Sequence, residues 1–149
     1  MSLDALYQRL ILEHNRNPHN YGPLPEATHR GRAQDALCGD DLEMALVVDG
    51  DQIVAAKFEG EACAVTKASA SLLTNWLVGQ APSKLQGHFE AFKTLLENPD
   101  HEPIDDLGDL NLLQPVGAFP ARRGNASLPW IATLRAVGQI SSSDCLPVR

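Results

Sequence analysis

Cysteine, aromatic residues and basic residues are all scarce in this sequence, and no long apolar run occurs. The three cysteines are an odd number without the spacing of a disulfide framework, so we expect a protein of the reducing cytoplasm. No apolar stretch approaches the ~18 residues that a membrane span needs, and the first residues lack the basic-then-apolar pattern of a signal peptide. We therefore expect neither membrane insertion nor secretion.

The shortage of basic residues gives the chain a formal net charge of −7. Acidic residues dominate residues 85–112, whereas residues 113–149 carry more bases than acids. Since contact with phosphates needs a basic face, the sequence argues against a nucleic-acid partner. The acidic segment predicts a solvated surface or, alternatively, a docking face for a basic partner protein.

Aromatic residues make up only 5% of the 149 residues, whereas the hydrophobic residues as a whole make up 44%. This length and composition predict one domain over residues 1–149, with a core built mainly of Leu, Val and Ala. The sequence contains no Gly-rich phosphate loop, nucleophile elbow, Cys-x-x-Cys pair or Ser/His/Asp order, and its five histidines show no ligand-like spacing. A stand-alone thiol enzyme has little support, because no base is paired with a cysteine.

In the first half of the chain, apolar periodicity predicts a helix, a long loop and a β-hairpin. A helical stripe begins at Leu3 and ends before the Asn-Pro pair at 17–18, since proline disfavours helix in the residue before it. Proline, glycine and polar residues make residues 17–36 an extended surface loop. Alternation over residues 42–48 and 52–59, separated by Asp-Gly-Asp, predicts the hairpin. Three residues of its second strand are expected to share one face: Val54, Ala56 and Phe58.

In the second half of the chain, helical spacing dominates. Two helices are expected, one starting near Thr66 and one starting at Pro82. A last helix is expected to begin near Ser127, with a proline in its first turn, and to run to Gly138. The polar sequence of residues 139–149 predicts a flexible tail. This order predicts an α+β fold, in which the hairpin and a further short strand form a small antiparallel sheet with helices packed on one face.

Two of the three cysteines stand in settings that suit chemistry. Cys38-Gly39-Asp40 places a thiol and a carboxylate two residues apart, and the glycine lets both side chains point to one spot. Such a mixed pair suits zinc or iron better than calcium. Cys63 follows a predicted strand and precedes a predicted helix, whose N-terminal N–H groups make it a readier nucleophile or ligand. Ordinary packing is the alternative for each, because this spacing alone is a weak metal motif.

Four blocks of the sequence occur in one order: LYQRLILEHNRNPHNYG, LCGDDLEMAL, FEGEACAVTKASASLLT and LGDLNLLQPVGAFPARRGNASLPW. In these blocks the chain resembles, over residues 3–138, the U-type iron–sulfur cluster assembly scaffold family. That family includes the SufU and IscU proteins and the NifU N-terminal domain. The insertion before the Phe-Pro-x-Arg stretch resembles the SufU branch in particular. The resemblance implies the same α+β fold that the periodicity predicts.

The resemblance also implies a ligand set for zinc, iron or an iron–sulfur cluster. The set consists of Cys38, Asp40, Cys63 and a third cysteine after the Phe-Pro-x-Arg stretch. In this chain Asn125 holds the third-cysteine position, so three ligands carry over. Two outcomes stay open: a weak site completed by water or a partner's side chain, or a site completed by Cys145 folding back along the last helix.

The function implied by the resemblance is iron–sulfur cluster assembly, with a cysteine desulfurase and other iron–sulfur assembly proteins as partners. We expect Cys38 to accept persulfide sulfur from the desulfurase, because a cysteine on a Gly/Asp loop can reach into another protein. We expect Cys63 to be an anchoring ligand. The resemblance places Arg122 near the metal loop, where it could pair with Asp40 or with a partner's carboxylate. The alternative function, which Asn125 favours, is a non-catalytic regulatory or binding module of the same fold with a degenerate metal site.

Overall fold

The structure is a computed structural model that describes residues 3–140. The side chains of residues 3, 4 and 6 lie outside this description, and so do residues 141–149, which hold Cys145 and most of the predicted tail. Among residues 3–140, no helix is both long enough and apolar enough to cross a membrane.

The first helix, α1, spans Leu3–Arg16 and confirms the helix predicted from the apolar stripe. Tyr7, Leu10 and Ile11 pack from it against the hydrophobic core. The N–H of Asn17 donates to the carbonyl of Glu13 at 2.9 Å and closes the last turn. The helix therefore ends just before the Asn-Pro pair, as the restriction on residues preceding proline requires.

Three antiparallel strands form the sheet in the order β1-β2-β3: His29–Asp35, Asp40–Asp49 and Gln52–Glu61. The hairpin of β2 and β3 confirms the prediction. Strand β1 corrects it, because residues 29–35 belong to the segment that we predicted to be a loop. The inward residues of β1 are Gly31, Ala33 and Asp35. Since these are small or charged, the strand shows no apolar alternation in its sequence.

A β-bulge reverses one prediction about the hairpin. Val48 pairs with Ile53 and Val47 pairs with Ala55, so the register skips Val54. A residue inserted in this way shifts the alternation of the side chains that precede it. Val54 is 46% exposed and Ile53 is fully buried, so the prediction that Val54 faces inward is wrong. The inward positions predicted after the bulge, Ala56 and Phe58, are both buried.

Three further helices follow the sheet: α2 at Ala64–Leu77, α3 at Leu85–Glu97 and α4 at Pro120–Ala136. A 3-10 turn at Pro82–Lys84 leads into α3, and a 3-10 region covers Asp105–Ala118. Helix α4 corrects the predicted start near Ser127. Pro120 takes the first helical position, where its missing N–H costs nothing, and Pro129 lies inside the helix instead of starting it.

Buried polar side chains fasten α1 to α2. His14 Nδ1 lies 2.6 Å from Ser71 Oγ, and the backbone N–H of His19 donates to the same oxygen at 2.7 Å. Burial lowers the pKa of His14 from its ordinary value of 6.5, and the neighbouring His19 lowers it further, although Glu13 and Asp109 act in the opposite direction. The folded environment therefore favours the neutral form of the His14 ring.

The core lies between the sheet and the helices, as expected for an α+β fold of this kind. Helix α4 packs across β1 and β2, while α2 packs on β3. Gly31 permits the close approach of α4, because a Cβ atom there would lie 2.1 Å from the carbonyl oxygen of Ala132. The outer face of the sheet carries ion pairs such as that of Arg30 with Glu43. The fold class predicted from the sequence is confirmed.

Candidate functional site at the start of helix α2

Asp40, the first residue of β2, is the centre of a buried polar contact between three elements. Only 2% of its surface is exposed. Its Oδ1 accepts the backbone N–H of Cys63 at 2.8 Å. Its Oδ2 accepts the hydroxyl of Thr66 at 2.5 Å and the side-chain amide of Asn125 at 2.9 Å. One carboxylate therefore joins β2 to the start of α2 and to α4; we call Asp40, Cys63, Thr66 and Asn125 the Asp40 junction.

Cys63 occupies the N-cap of α2, with extended backbone angles (φ −68°, ψ 167°) and without a capping bond from its own side chain. The N–H of Cys63 itself is bound by the carboxylate of Asp40 at the start of β2, which also places a negative group at the N-terminus of α2. The half-buried Sγ of Cys63 lies 3.6 Å from Asp40 Oδ2 and 3.3 Å from Thr66 Oγ1. As a thiol, Cys63 can donate to that carboxylate.

Thr66 belongs to the junction, but sequence reasoning placed it only as the predicted start of the helix. It is fully buried and stands three residues after the N-cap. That spacing is where capping boxes place their reciprocal side chain, and it was the signal available in the sequence. Here the threonine hydroxyl binds Asp40 instead of the N-cap backbone.

Asn125 lies in the second turn of α4 and is fully buried. Its Nδ2 donates to Asp40, whereas its Oδ1 has no hydrogen-bond partner in the described part of the chain. The side chain of Asn125, which the resemblance assigns to the third-cysteine position, therefore points at Asp40. It presents hydrogen-bond donors to the carboxylate where a cysteine would present sulfur.

Cys38 takes no part in the hydrogen bonds of the junction. It is exposed on the turn of residues 36–39 between β1 and β2, where Gly39 has φ +73°. Within residues 3–140, Cys38 makes no hydrogen bond to Asp40 or Cys63, and no group of three or more His, Cys, Asp or Glu side chains is placed to hold a metal ion. The structure thus brings together Asp40, Cys63 and Asn125 of the predicted site residues, and it leaves Cys38 free on the surface.

Arg122 is exposed in the first turn of α4, and among the described side chains it forms no ion pair with Asp40. With Tyr7, Val65 and Phe119 it lines an open cavity of about 510 Å³ beside the junction. Burial raises the pKa of Tyr7 above 10.0; the Arg122 guanidinium lowers it in part and Cys63 raises it.

Comparison with known proteins decides the family. The model of the NifU-like N-terminal domain matches residues 6–126, which include Cys38, Asp40, Cys63 and Asn125. The chain belongs to the NifU-like N-terminal domain family. The resemblance to U-type iron–sulfur cluster assembly scaffolds, inferred from four sequence blocks, is thereby confirmed.

Members of this family are similar to the chain over nearly its whole length. The zinc-dependent sulfurtransferase SufU of Bacillus subtilis is 34% identical over 138 residues, which are 93% of this chain and 93% of SufU. The iron–sulfur cluster assembly scaffold protein IscU of Streptococcus pyogenes serotype M1 is 25% identical and covers 97% of this chain and 90% of its own. The crystal structure of a NifU-like N-terminal domain from Brucella abortus is 24% identical, with a TM-score of 0.79 over 96% of this chain and 100% of that one. The last likeness supports the fold alone.

The donor set of this family member does not fit a closed zinc site. Such a site needs four ligands in tetrahedral array. Here Cys38 is exposed and makes no bond to the junction, the Asp40 carboxylate already accepts bonds from three residues, and Asn125 directs its N–H group to the carboxylate. An amide oxygen is in any case a poor substitute for thiolate at a soft metal. The ligand set implied by the resemblance is therefore not assembled in the described residues.

Proposed function

We propose that the chain takes part in iron–sulfur cluster assembly by accepting sulfur from a cysteine desulfurase, with Cys38 as the accepting thiol. Family membership supports the general process. The observation that carries the specific role is the contrast between the two described cysteines. Cys38 is exposed on a turn, whereas Cys63 is half-buried and lies beside Asp40 and Thr66.

The turn that carries Cys38 is exposed and open to contact by another protein. Leu37, beside the cysteine, is 78% exposed, and the φ of +73° at Gly39 sets the bend of the turn. A Cβ atom added at residue 39 would have no atom of the described chain within 4 Å, apart from those of its two chain neighbours. A thiol on such a turn can enter a partner's active site with little rearrangement of the fold.

The proposed step is a thiol–persulfide exchange. The Cys38 thiolate attacks the terminal sulfur of the desulfurase persulfide, and a new S–S bond forms on Cys38. The S–S bond of the partner breaks, and its electron pair stays on the partner's cysteine as a thiolate. The sulfur count and the charge balance without an added oxidant or reductant.

Arg122 and the cavity beside it are the proposed contact for the same partner. The guanidinium is exposed, and its planar donors fit a carboxylate in a bidentate manner. Phe119, 56% exposed at the same rim, adds apolar area. Iron or a nascent cluster is cargo in this proposal. The predicted set of Cys38, Asp40 and Cys63 stays a prediction for the cargo-bearing state.

The test is the stimulation of a cysteine desulfurase by the purified chain. Cys38→Ala is expected to abolish the stimulation, because no other described thiol is equally exposed. Cys145→Ser is the matched control and is expected to stimulate as the wild type does. Full stimulation by Cys38→Ala refutes the role assigned to Cys38.

A second function is favoured by Asn125: a binding or regulatory module that keeps the fold without a complete metal site. The bond from Asn125 to Asp40 supports it, because the residue that the resemblance assigns to the third-cysteine position is engaged in an internal contact. Sulfur transfer separates the two functions. A chain that binds the desulfurase, alters its rate and never carries sulfur is the regulatory module.

A further inference from the structure

We infer that the Asp40 junction takes the structural place of a metal ion in this chain, so that its fold is closed at this point by hydrogen bonds and is independent of zinc. In a closed zinc site the ion ties together elements that are distant in sequence. Here Asp40 from β2, Cys63 and Thr66 from α2, and Asn125 from α4 meet through side-chain and backbone bonds.

The acceptor capacity of one oxygen of Asp40 is already used. Each oxygen of an ionised carboxylate offers about two lone-pair sites. The hydroxyl of Thr66, the amide of Asn125 and, more weakly, the thiol of Cys63 are directed at Oδ2, whereas Oδ1 accepts the N–H of Cys63. A metal ion at Oδ2 would therefore displace a donor, and the Thr66 and Asn125 side chains are fully buried, without access to water.

The orientation of Asn125 agrees with a metal-free junction. An amide can face the carboxylate with its nitrogen or with its oxygen, and only the nitrogen attracts the carboxylate. Nδ2 faces Asp40 at 2.9 Å, although Oδ1 is thereby left without a partner among the described residues. The amide is therefore oriented by its contact with Asp40, and the atom that could ligate a metal points elsewhere.

The junction also separates the tasks of the two thiols. Cys63 lies within 3.6 Å of Asp40 and 3.3 Å of Thr66, as a member of the closed contact. Cys38 takes no part in it and is exposed. Loss of the Cys38 thiol should therefore leave the junction intact, so the inference does not depend on the sulfur-acceptor role.

The first test is zinc binding by the reduced, metal-stripped full chain. Zinc is titrated in competition with a high-affinity chromophoric chelator, and thermal unfolding is followed with zinc and with EDTA. We expect the chelator to bind all of the added zinc until it is saturated, as it does without the protein. We also expect the Tm to be equal with zinc and with EDTA. One zinc withheld per chain, with a raised Tm that EDTA reverses, overturns the inference, because a ligand bound to the native state must stabilise it.

The second test removes single donors from the junction. Thr66→Val keeps the shape of the side chain and deletes its hydroxyl, and Asn125→Ala deletes the amide. Each is expected to lower the Tm by at least about 3 °C, with no recovery on adding zinc. Asn98→Ala is the matched control, since the amide of Asn98 donates one bond on the surface, to Thr94. An unchanged Tm for Thr66→Val contradicts the inference even if Asn125→Ala fails to fold.

Discussion

Replacing Asp40 by asparagine is the sharpest perturbation of the junction, because the two side chains have the same shape. The new side chain keeps one acceptor oxygen, which can still bind the N–H of Cys63. In the place of Oδ2 it carries an NH₂ group, which faces the hydroxyl of Thr66 and the amide of Asn125. Both of these donors lose a charged acceptor at a site where only 2% of residue 40 is exposed.

Two lost hydrogen bonds to a charged group correspond to about 3–6 kcal/mol. Relief of the desolvation of the buried charge offsets part of this loss. We therefore expect Asp40→Asn to lower the free energy of unfolding by roughly 3 kcal/mol, a large share of the stability of an ordinary domain.

Urea denaturation measures this change as a shift of the midpoint at unchanged slope. Asp41→Asn is the matched control: Asp41 is the next residue on β2, and its carboxylate forms a surface ion pair with Arg32. A smaller loss, about 1 kcal/mol or less, is expected for it, because the pair is exposed to water although Arg32 binds both oxygens of Asp41. A loss below about 1 kcal/mol for Asp40→Asn refutes the reasoning, because charge-assisted bonds of this number cannot be removed at so small a cost.

Three further predictions follow from the packing and the side-chain environments. Gly31→Ala should lower the free energy of unfolding by about 3 kcal/mol in urea denaturation, because its Cβ would lie 2.1 Å from a backbone oxygen of α4. The control Gly87→Ala in α3, whose Cβ would meet nothing within 4 Å, should raise it by about 0.5–1 kcal/mol. Equal effects of the two substitutions would contradict the packing of α4 on Gly31. The pKa of His14 is lowered in the folded state, so the unfolded chain binds the proton first and the free energy of unfolding should fall as the pH drops below about 6.5. His14→Gln should flatten this slope in urea titrations over pH, and an unchanged slope would exclude His14 as its source. Iodoacetamide should label Cys38 much faster than Cys63 in the native protein, as peptide mass mapping can measure, and equal rates would contradict the difference in exposure.

The elements with regular apolar spacing could be predicted from the sequence. The hairpin and the helices α1, α2 and α3 carry repeats of two or of three to four residues, and each was found where its pattern lies. Strand β1 could not be found in this way, because its inward residues Gly31 and Ala33 are too small to give a strong hydrophobic signal. At Gly31 a larger residue would collide with α4. Val54 was misplaced because a bulge changes the alternation without leaving a mark in the sequence.

The candidate site could be predicted in its members more than in its arrangement. The blocks around Cys38, Asp40 and Cys63 indicated a family and a meeting of distant residues. They did not reveal that Thr66 and Asn125 would occupy the carboxylate of Asp40, since hydrogen-bond polarity at a buried site depends on which atoms face each other. The start of α4 was misplaced for a different reason. Two prolines in this segment could each begin a helix, and Pro120 begins it, whereas the prediction relied on Pro129.

The central claim, that Cys38 receives sulfur, is tested most directly by locating the sulfur. The wild-type chain is incubated with a cysteine desulfurase and cysteine, trapped with an alkylating reagent, and mapped by peptide mass spectrometry. We expect the added mass of one sulfur atom on the peptide that contains Cys38. Sulfur found on Cys63 or Cys145 instead, or on no cysteine of a chain that still stimulates the desulfurase, contradicts the claim.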